Sequence, residues 1–191
     1  MCLEAVARTR GWAPIGERTP RLPRKHSTHR YNIIPAISSW GLVAHVVQEE
    51  CVDRFDFEFY LEHVLVSYML YYCSFVRLQI ELYVGQVPCM NPFPLPNSVL
   101  VMDNAQIHHN GQVANIVEAR GCLLLYLPAY SPDLNPIEKG FSCFKSTLRR
   151  YEALLTGGED DFEVIDEFVR VVFTADLTKK LFRGCGYTVS Y

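Results

Sequence analysis

The stretch LPAYSPDLNPIEKGF, residues 127–141, contains three prolines, two acids and one asparagine between apolar ends. Pro132 and Pro136 fix their own φ angles, and the polar residues between them can hydrogen-bond to their own backbone. Pro136 also suits the first turn of a helix. The stretch therefore predicts a rigid connection into a helix that carries Glu138 in its first turn. A helix start fixed this firmly indicates that the position of Glu138 matters.

The segments on either side of this stretch have the pattern of an α/β sheet. SVLVMDN (98–104) and CLLLYLP (122–128) are short continuous apolar runs, which are typical of buried central strands. Between them, NGQVANIVEARG (110–121) predicts a short amphipathic helix closed by its final glycine. Further helices are predicted over 136–155 and, with an acidic face, over roughly 159–175.

The first half of the chain predicts a hairpin and a helix. YNIIPAIS (31–38) and GLVAHVVQ (41–48) are β-rich runs joined by a short turn. Pro35 inside the first run favours a sheet edge or a bulge at that point. DRFDFEFYLEHVL (53–65) has helical spacing of Phe55 and Phe59 and begins with an acid that can cap a helix.

The order hairpin, helix, strand, helix, strand, helices predicts an α/β layered fold. A length of 191 residues suits a single domain over 1–191 with a real core. Nearly half of the residues (49%) are hydrophobic and 20% are charged, as in ordinary globular proteins. Residues 1–30 form a basic, proline-broken arm, whereas 152–167 is acidic and lacks Lys and Arg. The net charge of −3 argues against a surface that coats nucleic acid, but this asymmetry is compatible with DNA contact on one side.

The cysteines and the apolar segments indicate the cellular compartment in which the protein is expected. The seven cysteines are scattered, and no pair has the Cys-x-x-Cys spacing of a zinc site. The chain starts without the apolar region of a signal peptide, so we expect reduced thiols in a nuclear or cytoplasmic protein that is not secreted. The uncharged run from Val64 to Val76 is shorter than the ~20 residues that a membrane span needs, so no membrane partner is expected.

Two carboxylates are the candidate catalytic and metal-binding residues. Asp103 ends a predicted strand, and Glu138 begins the helix that follows the next strand. Because strand ends and adjacent helix starts converge on one edge of an α/β sheet, we expect the two side chains to meet there. Paired carboxylates repel each other unless a cation lies between them, and oxygen ligands favour Mg²⁺ or Mn²⁺. The alternative is that Asp103 caps a turn and Glu138 stabilises the start of its helix.

Four polar residues near these acids are candidate supporting residues. Asn104, His108 and His109 follow Asp103 closely, and Asn135 precedes Glu138. The histidines either assist catalysis or contact phosphate, or they serve as capping or core residues.

The motifs VLVMDNAQIHH and LLLYLPAYSPDLNPIEKGFSCFKSTLRR resemble the catalytic domain of mariner-like (Tc/mariner superfamily) DDE transposases, the DDE superfamily endonuclease type. Asp103 and Glu138 leave 34 residues between them (104–137), which fits the second and third acids of that family. Shorter elements, from GWAPIGERTPR (11–21) to the closing CGY (185–187), follow in the family's order, so the resemblance covers most of the chain. It implies an RNase H-like mixed sheet flanked by helices. It also implies a two-metal site with Mg²⁺ or Mn²⁺ that cuts and joins DNA strands by in-line displacement.

Two departures from the family pattern bear on activity. The family's first Asp lies on a first strand upstream of the Gly-Trp-Ala-Pro element, but here the only acid before Gly11 is Glu4. We therefore expect an N-terminally truncated domain that lacks its first strand and first metal ligand. Asp53 and Asp56 are possible substitutes, but they lie at the start of a helix whose counterpart in the family is structural. About two dozen residues, roughly 66–89, are extra relative to the family, as a retained intron or a genuine insertion.

The resulting hypothesis is a transposase-derived endonuclease domain whose activity in DNA transposition is impaired by the missing acid. DNA is its expected partner, and homodimer formation is left open. The alternative is a non-catalytic remnant that binds nucleic acid or a protein partner. Its candidate nucleic-acid contacts are Arg18, Arg21, Arg24, Lys25, Lys145, Arg149 and Arg150.

Overall fold

A computed structural model describes residues 2–3, 13–17, 30–66, 90–105, 108–109, 111–151, 155 and 161–189. Within these ranges the chain is a mixed α/β structure with small sheets and helices. The extra segment expected over 66–89 lies almost entirely outside the described residues. The strands are β1 (Cys2–Leu3), β2 (Tyr31–Ser38), β3 (Gly41–Gln48), β4 (Val99–Met102) and β5 (Leu123–Tyr126), and the helices are α1 (Arg54–Tyr60), α2 (Val113–Glu118), α3 (Pro136–Arg150), α4 (Asp161–Val172) and α5 (Ala175–Gly184).

The predicted hairpin is confirmed with its predicted bounds: β2 and β3 pair antiparallel. The register shifts between Ala36 and Ile37, which leaves Val43 without a partner in the ladder. This bulge lies next to Pro35, and β1 pairs only with the first two residues of β2. Pro35 therefore lies near a bulge and on a strand edge without a described neighbour, the two features that it favoured. Proline is found at such places because it has no N–H to donate to a ladder.

The hairpin separates two cores. Tyr31, Ile33 and Val47 face a first core that also contains residues of α3 and α4. The opposite face of the hairpin, with Ile34 and Val46, packs against a second core formed by α1, α2, β4 and β5. Strand residues alternate between the two faces, so one hairpin can serve both layers.

The pair β4–β5 is parallel, but it differs from the expected central strands of a mixed sheet. The described strands form two sheets, the antiparallel β1-β2-β3 and the parallel β4-β5. The prediction that β4 and β5 are buried is wrong for one face: Val99, Val101, Leu123 and Leu125 are 38–54% exposed. The physical reason is that only the alternate residues of each strand, such as Met102 and Tyr126, pack against the second core.

Some helix ends differ from the predicted bounds, whereas the starts of α1 and α3 agree with them. α1 begins after Asp53, as expected, but continues into a π-helical turn (Leu61–Leu65). Phe55 and Phe59 lie on its exposed side, and the buried side is Tyr60 and Leu61. None of the described helices combines the length and apolarity needed to cross a membrane.

The C-terminal region contains one helix more than expected. α3 ends at Arg150 instead of near 155, and the predicted helix over 159–175 is α4 alone. Thr174 accepts a hydrogen bond from the Leu177 N–H at 3.4 Å and so caps a separate helix, α5. Among the described side chains, those of Cys51, Cys122, Cys143 and Cys185 form no disulfide.

A polar network joins β3 to α4 next to the first core. The His45 Nε2 atom lies 2.6 Å from Asp166 Oδ1, and Arg170 donates to Asp166 Oδ2 at 2.6 Å. The His45 side chain is only 10% exposed. Burial lowers the pKa of His45 below its ordinary value of 6.5; Asp166 acts in the opposite direction and Arg170 in the same one.

We predict that this network makes stability depend on pH. Because the folded pKa of His45 is lowered, the unfolded chain binds the proton more readily, and His45 opposes folding increasingly as pH falls below 6.5. His45→Gln removes this component, so the loss of thermal stability between about pH 8 and about pH 5 should be smaller than in the wild type. His63→Gln, at a half-exposed histidine, is the matched control. An unchanged pH dependence in His45→Gln would contradict the assignment.

Candidate active site

The carboxyl ends of β4 and β5 lie side by side because the strands are parallel. Met102 pairs with Tyr126, and the Leu127 N–H donates to the Met102 carbonyl at 2.8 Å. Asp103 directly follows β4 at this edge, and its side chain is 54% exposed. The sequence therefore places Asp103 where ligands bind in α/β folds.

The two carboxylate oxygens of Asp103 have different surroundings. Oδ1 accepts a hydrogen bond from the Ala105 N–H at 3.2 Å and lies 3.2 Å from His108 Nε2. No hydrogen bond from the described residues reaches Oδ2. Asp103 thus closes a turn, as the structural alternative expected, while its other oxygen is open in the sense that no described residue donates to it, on a side chain that is 54% exposed.

His108 contacts residues of two other elements. Its ring packs against Phe57 of α1, with centroids 4.6 Å apart, and its carbonyl accepts from the Tyr126 hydroxyl at 2.9 Å. The side chain is only 12% exposed, and Nδ1 is buried with no hydrogen-bond partner in the described structure. Burial lowers the pKa of His108; the charge of Asp103 raises it and His109 lowers it further.

The other two supporting residues of this loop contact each other. His109 Nε2 hydrogen-bonds with Asn104 Oδ1, and the His109 ring lies 4.2 Å from the ring of Tyr126. Both residues are exposed. Phe57 and Tyr126 were not predicted as site residues. No signal in the sequence marked them, because their contacts with His108 join residues far apart in the chain.

Glu138 occupies the first turn of α3 with an exposed side chain. Asn135 is the N-cap of this helix, and its Oδ1 accepts from the Ile137 N–H at 3.3 Å. A negative charge at this position stabilises the helix through the macrodipole. The direct structural role of Asn135 is therefore to fix the helix start.

The proline-rich connection before α3 is anchored from the C-terminal end of the described chain. Pro132–Leu134 form a 3-10 turn, and the Tyr187 hydroxyl donates to the Leu134 carbonyl at 3.0 Å. Lys139 Nζ donates to the Gly184 carbonyl at the end of α5. The proline-rich stretch 127–141 is thus tied to α5 and to the CGY segment that follows it.

The donor chemistry of Asp103 and Glu138 fits a hard divalent cation, because both are exposed carboxylates and Asp103 Oδ2 is open. The described residues do not complete a site: no group of three or more His, Cys, Asp or Glu is arranged to hold a metal ion. Asp53 and Asp56 do not substitute for the expected first acid, because they form the reciprocal capping box of α1. Glu4 lies outside the described residues.

The candidate nucleic-acid contacts fall into two groups. Arg18, Arg21, Arg24 and Lys25 lie outside the described residues. Lys145, Arg149 and Arg150 lie on α3, with Lys145 half-buried and the two arginines exposed in the last turn. The structure therefore places three of the seven cations on the helix that also carries Glu138.

A protein-family model described as DDE superfamily endonuclease matches residues 1–156. The match contains Asp103, Glu138 and every described element from β1 to α3, and it ends before α4. No curated protein and no solved structure matches the chain. Because the family match spans most of the sequence and includes both candidate acids, the chain belongs to the DDE superfamily endonucleases.

Proposed function

We propose that this chain is a transposase-derived endonuclease domain of the mariner-like type that cuts DNA with a divalent cation, Mg²⁺ or Mn²⁺, bound by Asp103 and Glu138. The observation that carries the proposal is the open Oδ2 of Asp103 at the sheet edge, in a chain whose family consists of endonucleases. In this proposal the domain acts in the nucleus or the cytoplasm, on the DNA that takes part in transposition.

The roles of the two acids follow from general chemistry. A bound cation supplies Lewis-acid activation of water or a 3′-hydroxyl and stabilises the leaving oxygen. Asp103 and Glu138 would hold the cation, and the firm N-terminus of α3 keeps the Glu138 backbone in one place. We expect cleavage by this chain to be slow, because positioning and charge stabilisation both suffer when a third carboxylate is lacking.

A second function is favoured by the incomplete ligand set. In the described part of the chain no third metal-ligating side chain joins the two acids. A domain with an incomplete set of metal ligands can bind DNA without cutting it, through cationic side chains such as those of Arg149 and Arg150 on α3. Such binding would weaken steeply with salt, because phosphate contacts release counterions.

Supercoiled plasmid distinguishes the two functions. We expect nicking with Mn²⁺ and, more slowly, with Mg²⁺, and none when the metal is chelated or replaced by Ca²⁺, since Ca²⁺ tolerates longer and more irregular coordination. Salt-sensitive DNA retention without nicking under any metal would refute the endonuclease proposal in favour of binding alone. The same preparation serves for both measurements.

A further inference from the structure

We infer that Tyr187, which lies beyond the family match over residues 1–156, is a positioning residue: its hydroxyl fixes the turn that starts α3 and thereby the place of Glu138. The use that the chain makes of Glu138 rests on the proposed function. The contacts of Tyr187 do not, and they can be tested without metal or DNA.

The turn before α3 is held by long local hydrogen bonds. The N–H groups of Leu134 and Asn135 each donate to the carbonyl three residues earlier, both at 3.2 Å. At the helix start, the Ile137 N–H donates to the Asn135 side chain and the Glu138 N–H to the Asn135 carbonyl, both at 3.3 Å. Such bonds are ordinarily about 2.7–3.2 Å long. A turn with bonds of this length opens readily unless residues from elsewhere support it.

The Tyr187 hydroxyl supplies that support from 53 residues further along the chain. It donates to the Leu134 carbonyl at 3.0 Å in a partly buried position. The Leu134 carbonyl and the Asn135 N–H belong to one planar peptide unit, so a bond to the carbonyl also fixes the direction of the N–H. That unit joins the 3-10 turn to the N-cap of α3, and its orientation sets where the helix begins.

Tyr187 is itself held by the end of α5. Its N–H donates to the Phe182 carbonyl at 3.1 Å, and the two rings pack edge to face with centroids 5.6 Å apart. Gly186, with φ of +87°, turns the chain back onto the helix in a conformation that glycine adopts without strain. Lys139 adds a second contact by donating to the Gly184 carbonyl. The end of α5 therefore contacts the start of α3 both before its N-cap and at the end of its first turn.

Tyr187→Phe in the full chain tests the role, because it removes the hydroxyl and keeps the ring beside Phe182. Loss of one hydrogen bond of about 0.5–1.5 kcal/mol should make local amide hydrogen exchange about 2–12-fold faster. The reporters are the four amides at the start of α3, those of Leu134, Asn135, Ile137 and Glu138. The amides of Ala119 and Arg120 at the end of α2 open without breaking this contact and should exchange as in the wild type.

Tyr151→Phe is the matched control. Tyr151 follows the other end of α3, is 51% exposed and also packs on a phenylalanine, Phe168, with centroids 5.5 Å apart. Removal of its hydroxyl should leave exchange at the start of α3 unchanged. Wild-type exchange there in Tyr187→Phe would overturn the inference. Equal acceleration at the start of α3 and at the end of α2 would also overturn it, because the hydroxyl would then contribute only to general stability.

Plasmid nicking connects the turn to Glu138. We expect Tyr187→Phe to lower kcat while KM for the plasmid stays unchanged, because the place of Glu138 bears on strand cleavage and not on DNA retention. Faster exchange with an unchanged kcat would overturn the positioning role. If the wild-type chain nicks under no metal, the proposed function fails, and hydrogen exchange still decides whether Tyr187 fixes the start of α3.

Discussion

Asp103→Asn is expected to reduce Mn²⁺-dependent plasmid nicking by about 100-fold or more, because misplacement or loss of a group that fixes the reacting geometry has effects of that size. Asparagine keeps an Oδ1 that can accept from the Ala105 N–H, so the turn after β4 should persist. The substitution replaces the open Oδ2 with an amide nitrogen, which cannot bind a cation. The measurement is the initial rate of conversion of supercoiled to open-circular plasmid.

A matched control is available in the same part of the chain. Asp133 is an exposed acid in the proline-rich connection before Glu138, and it is not a candidate ligand. Asp133→Asn removes the same charge and should nick at nearly the wild-type rate. If Asp133→Asn and Asp103→Asn lose activity equally, a general charge effect explains the loss and Asp103 has no special role. A wild-type rate in Asp103→Asn would contradict the assignment directly.

Gly140→Ala is expected to lower the free energy of unfolding by about 1–3 kcal/mol, the usual cost of overpacking a core. A Cβ atom at this position would lie 2.6 Å from Cε1 of Phe173 and 3.3 Å from Cδ1 of Leu181. Both neighbours are buried, at 2% and 6% exposure, so neither can move aside freely. Alanine gains about 0.5–1 kcal/mol in a helix relative to glycine, and that gain is too small to offset the clash.

Gly184→Ala at the end of α5 is the matched control. Its Cβ would find Lys139 Nζ as the nearest atom at 3.6 Å, which is ordinary contact. We expect this variant to be as stable as the wild type, and the pair can be compared by urea denaturation. If Gly140→Ala were as stable as Gly184→Ala, the close approach of α3 to Phe173 and Leu181 would be wrong. Because α3 carries Glu138, the same variant should also weaken Mn²⁺ binding if the helix shifts.

The sequence predicted the elements in which local chemistry and long-range packing agree. The hairpin bounds, the cap at Asp53 and the start of α3 at Pro136 were all correct, because proline, turn residues and capping acids act within a few residues. The exposed face of Val99 and Val101 was not predicted, because a continuous apolar run gives no sign of which side lacks a neighbour. α5 was missed because its start depends on one threonine, Thr174, inside a long helical pattern.

In the candidate site, too, the local features were predicted and the long-range contacts were not. The positions of Asp103 after a strand and of Glu138 at a helix start were predicted correctly, and their role as ligands stays a prediction. The contacts that hold His108, from Phe57 and Tyr126, join residues far apart in the sequence, and periodicity carries no signal for such pairs. The sequence could therefore suggest the histidine as a supporting residue but could not show which residues its ring and its carbonyl contact.

The most direct test of the account is a double-mutant cycle on Mn²⁺ affinity with Asp103→Asn, Glu138→Gln and the two combined. If both carboxylates bind one cation, each single change should weaken Mn²⁺ binding strongly. The double variant should bind little more weakly than either single variant, because loss of one ligand already removes most of the binding that depends on the other. Additive losses, or full Mn²⁺ affinity in either single variant, would show that the two acids do not hold a common cation.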